Sequence, residues 1–155
     1  MISTELLRKF PFFGFMDYGQ LKAVAMIVEK LTYEKDEVIV EAGKPAGHFF
    51  FLIDGNVSYH AVVTSEHDPY YRKEYFITDI NPGEIFGISA LIEPFIYTAT
   101  LKTNKVSHVI QINAASLRAL CEVDAKLAIG LYRNVAKTAM ERLQITRLQL
   151  AASRV

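Results

Sequence analysis

The residues best suited to bind a small molecule lie in one stretch, Phe86–Leu101, which reads FGISALIEPFIYTATL. Its glycine and small side chains let the main chain approach a ligand closely, and its hydroxyl groups can form hydrogen bonds. The stretch contains one acid, Glu93, and neither Lys nor Arg. It therefore predicts a binding segment that wraps a small ligand with its backbone; we call it the 86–101 segment.

No residue pattern in the chain predicts catalysis. The four histidines (His48, His60, His67 and His108) have no metal-ligand spacing, and no His-x-x-x-His motif or cysteine pair occurs. A nucleophile elbow, a Walker loop and a dinucleotide fingerprint are also missing from the sequence. We expect a protein that is not an enzyme, with no catalytic residue, no metal site and no cofactor beyond a small ligand.

Composition favours one folded domain over residues 1–155. The chain is 51% hydrophobic and 22% charged, which is enough apolar material for a core. Seventeen basic and seventeen acidic residues cancel, so nucleic acid is not the expected partner. The single cysteine, Cys121, fits a reducing compartment and reads as a small core residue. With neither a signal-peptide pattern nor a run of about 18 apolar residues, we expect a cytoplasmic protein without a membrane partner.

The chain divides into three parts: helices over 1–30, strands over 31–112 and helices over 113–155. Ser3 or Thr4 is expected to cap a short helix that runs through Lys9. Asp17 and Gln20 have the spacing of a capping box, which predicts a second helix from about Tyr18.

The middle part reads as short strands with glycine turns, typical of a sandwich or small barrel. Thr64–Lys73 is expected to be an exposed hairpin tip. Side-chain alternation along Phe49–Phe51 places at least one face of that strand in the core. Four tyrosines are expected at hairpin and strand surfaces: Tyr59, Tyr70, Tyr71 and Tyr75.

The last part predicts two helices, capped by Asn113 and by Asp124. The second runs from Ala125 to about Ala151, roughly 40 Å at 1.5 Å per residue. Its apolar residues spread over more than one contact face. We expect one face to pack on the strands and another to form a homodimer through 125–151; the alternative is a single amphipathic helix lying across its own domain.

An ordered set of residues runs through the chain: Gly43, the Ile53-x-Gly55-x-Val57 step, Gly83, Phe86-Gly87 and Ala90-Leu91. In this set and in the order of its elements, the sequence resembles the cyclic nucleotide-binding domain family over about Leu6 to Leu150. The resemblance implies a mainly β fold: a double-stranded β-helix, or jelly-roll barrel, with N-terminal helices and a long C-terminal helix.

The same resemblance assigns the 86–101 segment to the family's phosphate-binding cassette. In nucleotide-binding members a glutamate binds the ribose 2′-hydroxyl and an arginine pairs with the cyclic phosphate. Here Ile88 stands at the glutamate position and Tyr97 at the arginine position. The resemblance thus implies a pocket that lacks both of these contacts.

Three functions stay open at this point. The first is a regulatory module that senses a cyclic nucleotide or another small anionic effector and passes the signal to a separate protein. The second is a degenerate dimeric interaction module, with the pocket closed by Ile88, Ile92, Phe95, Ile96 and Tyr97. The third is the sensor half of a transcription regulator of the catabolite activator type, for which the basic residues after Ala125 offer weak support.

Ligand contacts are expected from two regions of the chain. From the 86–101 segment they are Phe86, Gly87, Ile88, Ser89, Ala90, Leu91, Tyr97, Thr98 and Ala99. From the long helix, helical phase proposes Thr138 and Arg142.

Overall fold

The computed structural model describes residues 2–154, so Met1 and Val155, the ends of the expected domain, lie outside it. The helices are α1 (Thr4–Arg8), α2 (Tyr18–Ala25), α3 (Ala114–Val123) and α4 (Ala125–Ala152). The strands are β1 (Val28–Tyr33), β2 (Val38–Val40), β3 (His48–Asp54), β4 (Val57–Thr64), β5 (Arg72–Ile80), β6 (Ile85–Phe86), β7 (Ala99–Thr103) and β8 (Ser107–Asn113). Short 3₁₀ turns span Pro11–Phe15 and Ile88–Leu91.

The strands form two four-stranded antiparallel sheets, ordered β1-β8-β3-β6 and β2-β7-β4-β5. Successive strands alternate between the sheets at several points, as in a jelly roll. The expected fold class, a mainly β jelly roll with N-terminal helices and a long C-terminal helix, is confirmed.

Side chains cap the N-termini of α2, α3 and α4 at the residues that the sequence predicts. Asp17 accepts a hydrogen bond from the Gln20 amide (2.8 Å), and the Gln20 side chain accepts one from the Asp17 amide (2.9 Å). Asn113 accepts from the Ser116 amide (2.8 Å), and Asp124 accepts from the Leu127 amide (3.0 Å). Each cap satisfies an amide that the helix itself leaves unpaired.

Two of the expected boundaries are wrong. The prediction of helix up to Lys30 fails because β1 begins at Val28, which pairs with Ile112 of β8; burial in a sheet outweighed an apolar spacing that suits a helix. The exposed hairpin tip is also shorter than expected, since Thr64 belongs to β4 and Arg72 begins β5.

Both faces of β3 are buried at its centre. Phe50 stacks on Phe86 at 4.8 Å between ring centroids. On the opposite face, Phe51 packs against Phe10 and Phe13, at 5.0 and 5.5 Å. The N-terminal segment thus covers the outer face of the sheet, and the core lies on both sides of this strand.

The side chains that α4 buries completely lie in its first half. Leu127, Leu131 and Val135 are buried. Gly130 allows close packing here, because a Cβ atom on it would lie 2.1 Å from Cε2 of Phe15. Beyond Val135 the apolar side chains of Met140, Leu143, Leu148 and Leu150 are exposed.

Candidate functional site

The 86–101 segment leaves β6 through a left-handed turn at Gly87, where φ is 68°. A Cβ atom at this position would lie 3.1 Å from the His48 carbonyl oxygen and 3.0 Å from the Phe50 ring. Glycine is therefore required both by backbone conformation and by the close approach of β3. After the 3₁₀ turn, the chain returns to the sheet at Ala99 in β7.

A small cavity of about 50 Å³ lies between this segment, the inner face of one sheet and α4. Gly87, Ile88 and Ser89 form one part of its wall, and Tyr97, Thr98 and Ala99 form another. Arg142 of α4 closes a further side. The remaining lining residues are Val40, Tyr59 and Leu101.

Not every residue proposed for the site reaches this cavity. Three of them, Phe86, Ala90 and Leu91, are buried in the core and do not line the cavity. Thr138 lines a separate groove with Phe12 and Glu84. Thr138 lies one turn of helix before Arg142, where α4 faces the N-terminal 3₁₀ turn, so Arg142 is the one of these two helix residues that lines the cavity.

Sequence reasoning missed three lining residues: Val40, Tyr59 and Leu101. The placement of Tyr59 at the surface was wrong, because its side chain is half-buried against the cavity. Val57 and Tyr59 share one face of β4, and Val57 is completely buried. Because alternate residues of a strand lie on the same face, Tyr59 could have been predicted to face inward if Val57 had been known to do so.

The Tyr97 hydroxyl is held by the backbone rather than offered to a ligand. It donates a hydrogen bond to the His48 carbonyl (2.6 Å) and accepts one from the His48 amide (3.1 Å). Burial raises the pKa of the Tyr97 phenol above its ordinary value, so the group stays protonated and remains a donor. At the position where the resemblance places an arginine, Tyr97 therefore links the 86–101 segment to β3.

Arg142 supplies a positive charge, which the 86–101 segment lacks. One Nη donates to the Ile85 carbonyl (2.5 Å), and the guanidinium carbon lies 5.2 Å from the centre of the Tyr59 ring. Among residues 2–154, no carboxylate oxygen lies within 4 Å of this guanidinium. Burial lowers its pKa from the ordinary arginine value, which reflects the cost of keeping this charge away from water.

Two more side chains from the C-terminal helices bind the 86–101 segment. Arg118 donates to the Ala90 carbonyl (2.6 Å), and its guanidinium lies 4.1 Å from the centre of the Phe95 ring. The Tyr132 hydroxyl donates to the Leu91 carbonyl (3.2 Å). Together with Arg142, these contacts connect the segment directly to α3 and α4.

The cavity is reduced but not filled by apolar side chains. Ile92 and Ile96 are 46% and 43% exposed, and like Phe95 they do not line the cavity, whereas Ile88 and Tyr97 do. Small-molecule pockets usually enclose about 300–1,000 Å³. As it stands, the cavity admits only a group of a few atoms.

Comparison with protein families places the chain in one of them. The model of the cyclic nucleotide-binding domain matches residues 30–124, more than half of the sequence. The chain belongs to the cyclic nucleotide-binding domain family. This family is defined by ligand binding, and no catalytic family is indicated.

Similar proteins include regulators and channels. The chain is 25% identical over 118 residues to a cAMP-dependent protein kinase regulatory subunit from Dictyostelium discoideum, covering 76% of this chain and 35% of that protein. It is 26% identical over 138 residues to a cyclic nucleotide-gated potassium channel from Mesorhizobium japonicum, covering 89% and 34%. The chain thus spans about a third of the length of these curated relatives.

Solved structures show the same fold. A crystal structure from Geobacter metallireducens GS-15, assigned by name to the cyclic nucleotide-binding proteins, matches with a TM-score of 0.77 and 33% identity, over 92% of this chain and 99% of that one. The sensor domain of the transcriptional regulator DNR from Pseudomonas aeruginosa matches with a TM-score of 0.69 at 18% identity, over 88% and 92%. The second likeness concerns the fold alone.

Within residues 2–154, no helix has the length and hydropathy needed to cross a bilayer. In the same range, no group of three or more His, Cys, Asp or Glu side chains could hold a metal ion.

The structural role of Tyr97 can be measured separately from ligand binding. Tyr97→Phe removes the bond to the His48 carbonyl and leaves the His48 amide without its partner, so we expect the free energy of unfolding to fall by about 1–3 kcal/mol in urea titrations. The control is Tyr70→Phe, whose side chain is 94% exposed and which should change stability by less than about 0.5 kcal/mol. Equal stability of the two variants would contradict this role.

Proposed function

We propose that this chain is a regulatory module that senses a small ligand in the cavity between the 86–101 segment and α4. The observation that carries the proposal is the shared wall: Gly87–Ser89 and Tyr97–Ala99 form one side and Arg142 of α4 another. An occupant would contact both, so its affinity depends on where α4 lies. Binding then shifts the helix toward the position that binds better, because a ligand favours the state for which it has the higher affinity.

Cyclic nucleotide binding is weak or altered in this proposal. Ile88 cannot accept a hydrogen bond from ribose, and the Tyr97 hydroxyl is already bound to His48. Hydrogen bonds to charged groups contribute about 1.5–3 kcal/mol each. Losing both therefore weakens binding by about two to four powers of ten. A nucleotide would also need Arg142 and α4 to move aside, since the cavity is only about 50 Å³.

Restoring the two missing contacts tests this assignment. We expect cyclic AMP and cyclic GMP at 100 µM to raise the melting temperature of the wild-type protein by less than about 1 °C. The variant Ile88→Glu/Tyr97→Arg should gain a measurable rise, because an occupied site stabilises the fold by RT ln(1 + [L]/Kd). Tyr97→Phe controls for the lost bonds to His48.

Micromolar binding of cyclic AMP by the wild-type protein would contradict the proposed loss of affinity. An absence of any gain in the double variant would show that Ile88 and Tyr97 do not occupy the family's ligand positions.

We also propose that the exposed face of α4 joins two copies of the chain. Ile129, Met140, Leu143 and Leu150 are each about half exposed or more, although the domain buries a different face of the helix. The other arrangement, α4 lying across its own domain, has support near the end of the helix, where the Gln149 side chain donates to the Ile77 carbonyl.

Charge placed on the exposed face distinguishes these arrangements. We expect sedimentation velocity to show a wild-type dimer, and Leu143→Glu/Leu150→Glu to shift it to monomer, because burying two unpaired carboxylates is costly. Gln144→Glu adds charge to a neighbouring exposed position and should leave the dimer intact. A monomeric wild-type protein would favour the helix lying across its own domain.

The two other functions have narrower support. A degenerate interaction module is favoured by the small size of the cavity and by the bond that Arg142 already makes to Ile85. The sensor half of a transcription regulator is suggested by the sensor domain from Pseudomonas aeruginosa, which shares the fold. The cytoplasmic location and the separate protein that would receive the signal both stay predictions.

A further inference from the structure

We propose that the ligand of this cavity is a compact oxyanion, a carboxylate or phosphate group, held by Arg142. The inference rests on the proposed function, whose site it shares, and it names the chemical class of the effector. It differs from the pattern that the resemblance implies, because the positive charge comes from α4 and not from the 86–101 segment.

The charge of the cavity wall selects for an anion. Arg142 is the one charged residue among the described residues that line the cavity, and no Asp or Glu lines it. Burial lowers the pKa of Arg142 more strongly than Glu84 and Glu141 raise it from a distance, and neither carboxylate forms an ion pair with the guanidinium among the described residues. A guanidinium that is largely withdrawn from water without a carboxylate in contact is costly to maintain. An anion bound beside it would remove that cost, whereas a second cation would increase it.

The present partners of Arg142 leave most of its hydrogen-bonding capacity free for such a ligand. The guanidinium carries five N–H donors, and one Nη is bound to the neutral Ile85 carbonyl. The Tyr59 ring contributes a cation–π contact at 5.2 Å. A planar carboxylate or a phosphate can accept two parallel hydrogen bonds from a guanidinium, which a single carbonyl oxygen cannot do.

The other polar groups and the size of the cavity limit the ligand further. The hydroxyl-bearing residues Ser89 and Thr98 also line the cavity, and a hydroxyl group can donate a hydrogen bond to an oxygen of an anion. A volume of about 50 Å³ accommodates a charged group of a few atoms and excludes a nucleoside. Because Arg142 lies on α4, an anion that pairs with it also fixes the second half of that helix against the sheets.

The test follows the side chain itself in the wild-type protein. The NMR signal of the Arg142 Nε–H group is assigned from its loss in Arg142→Lys. It is then followed while sodium phosphate or sodium acetate replaces sodium chloride at constant ionic strength. We expect a saturable shift of this signal with at least one of the two salts, and the salt that causes it distinguishes phosphate from carboxylate. No saturable shift with either salt overturns the proposal.

Matched variants separate specific pairing from general salt effects. Arg142→Gln should weaken the apparent affinity, measured by calorimetry, at least tenfold. Arg147→Gln, which removes an exposed arginine from the same helix, should leave it within twofold. Equal affinity in Arg142→Gln and the wild-type protein overturns the inference, and the NMR titration decides it alone if Arg142→Gln does not fold.

The outcomes also separate this inference from the proposed function. A neutral compound that binds in the cavity without moving the Arg142 signal overturns the anion assignment and leaves the sensing function intact. Binding of phosphate or acetate to Arg142 with unchanged amide exchange in α4 supports the anion site and contradicts the sensing function.

Discussion

The proposed function depends on one contact, in which the Arg142 guanidinium donates to the Ile85 carbonyl and lies beside the Tyr59 ring. It joins the second half of α4, which has few other contacts with the sheets, to the wall of a small cavity. Burial lowers the pKa of Arg142, an effect that Glu84 and Glu141 only partly offset, and no carboxylate of the described residues forms an ion pair with the guanidinium, so keeping the charge there is costly. We therefore propose that a change in the surroundings of this guanidinium changes the position of the helix.

The 86–101 segment forms a wall of the cavity that is held by contacts with the rest of the fold. Gly87 gives the left-handed turn that lets the segment lie against β3, and the Tyr97 hydroxyl joins its far end to His48. Arg118 and Tyr132 bind the carbonyls of the short turn between these points. The segment is thus held by several contacts with the rest of the fold, and its own side chains carry no positive charge. In our proposal, Arg142 of α4 supplies that charge.

Much of this fold could be predicted from local sequence, because several helix starts are determined by residues only a few positions apart. The capping box of Asp17 and Gln20 and the cap at Asp124 set helix starts that tertiary packing does not overrule. Val28 shows the limit, because its pairing with Ile112 in β8 is invisible in a local apolar pattern. The two-residue strand β6 is likewise too short to produce a pattern of its own.

The candidate site was harder to predict than the fold, because its residues come together through contacts between distant parts of the chain. Tyr59 looks like any strand tyrosine until the partner strands and α4 determine which face of β4 is inside. Arg142 followed from helical phase, whereas Thr138, one turn earlier, did not reach the cavity because the N-terminal segment covers that part of α4. Contacts between residues distant in the chain decide such cases, and a single sequence does not contain them.

The most direct measurement of the central claim, that the content of the cavity controls α4, needs no identified ligand. Ala99 lines the cavity on β7 and is buried, so Ala99→Leu places additional carbon atoms where a ligand would lie. Amide hydrogen exchange of this variant should accelerate along 140–152, where α4 would be displaced, and stay near the wild-type rate along 114–131. Equal protection of 140–152 in the two proteins, with the variant folded, would contradict the account.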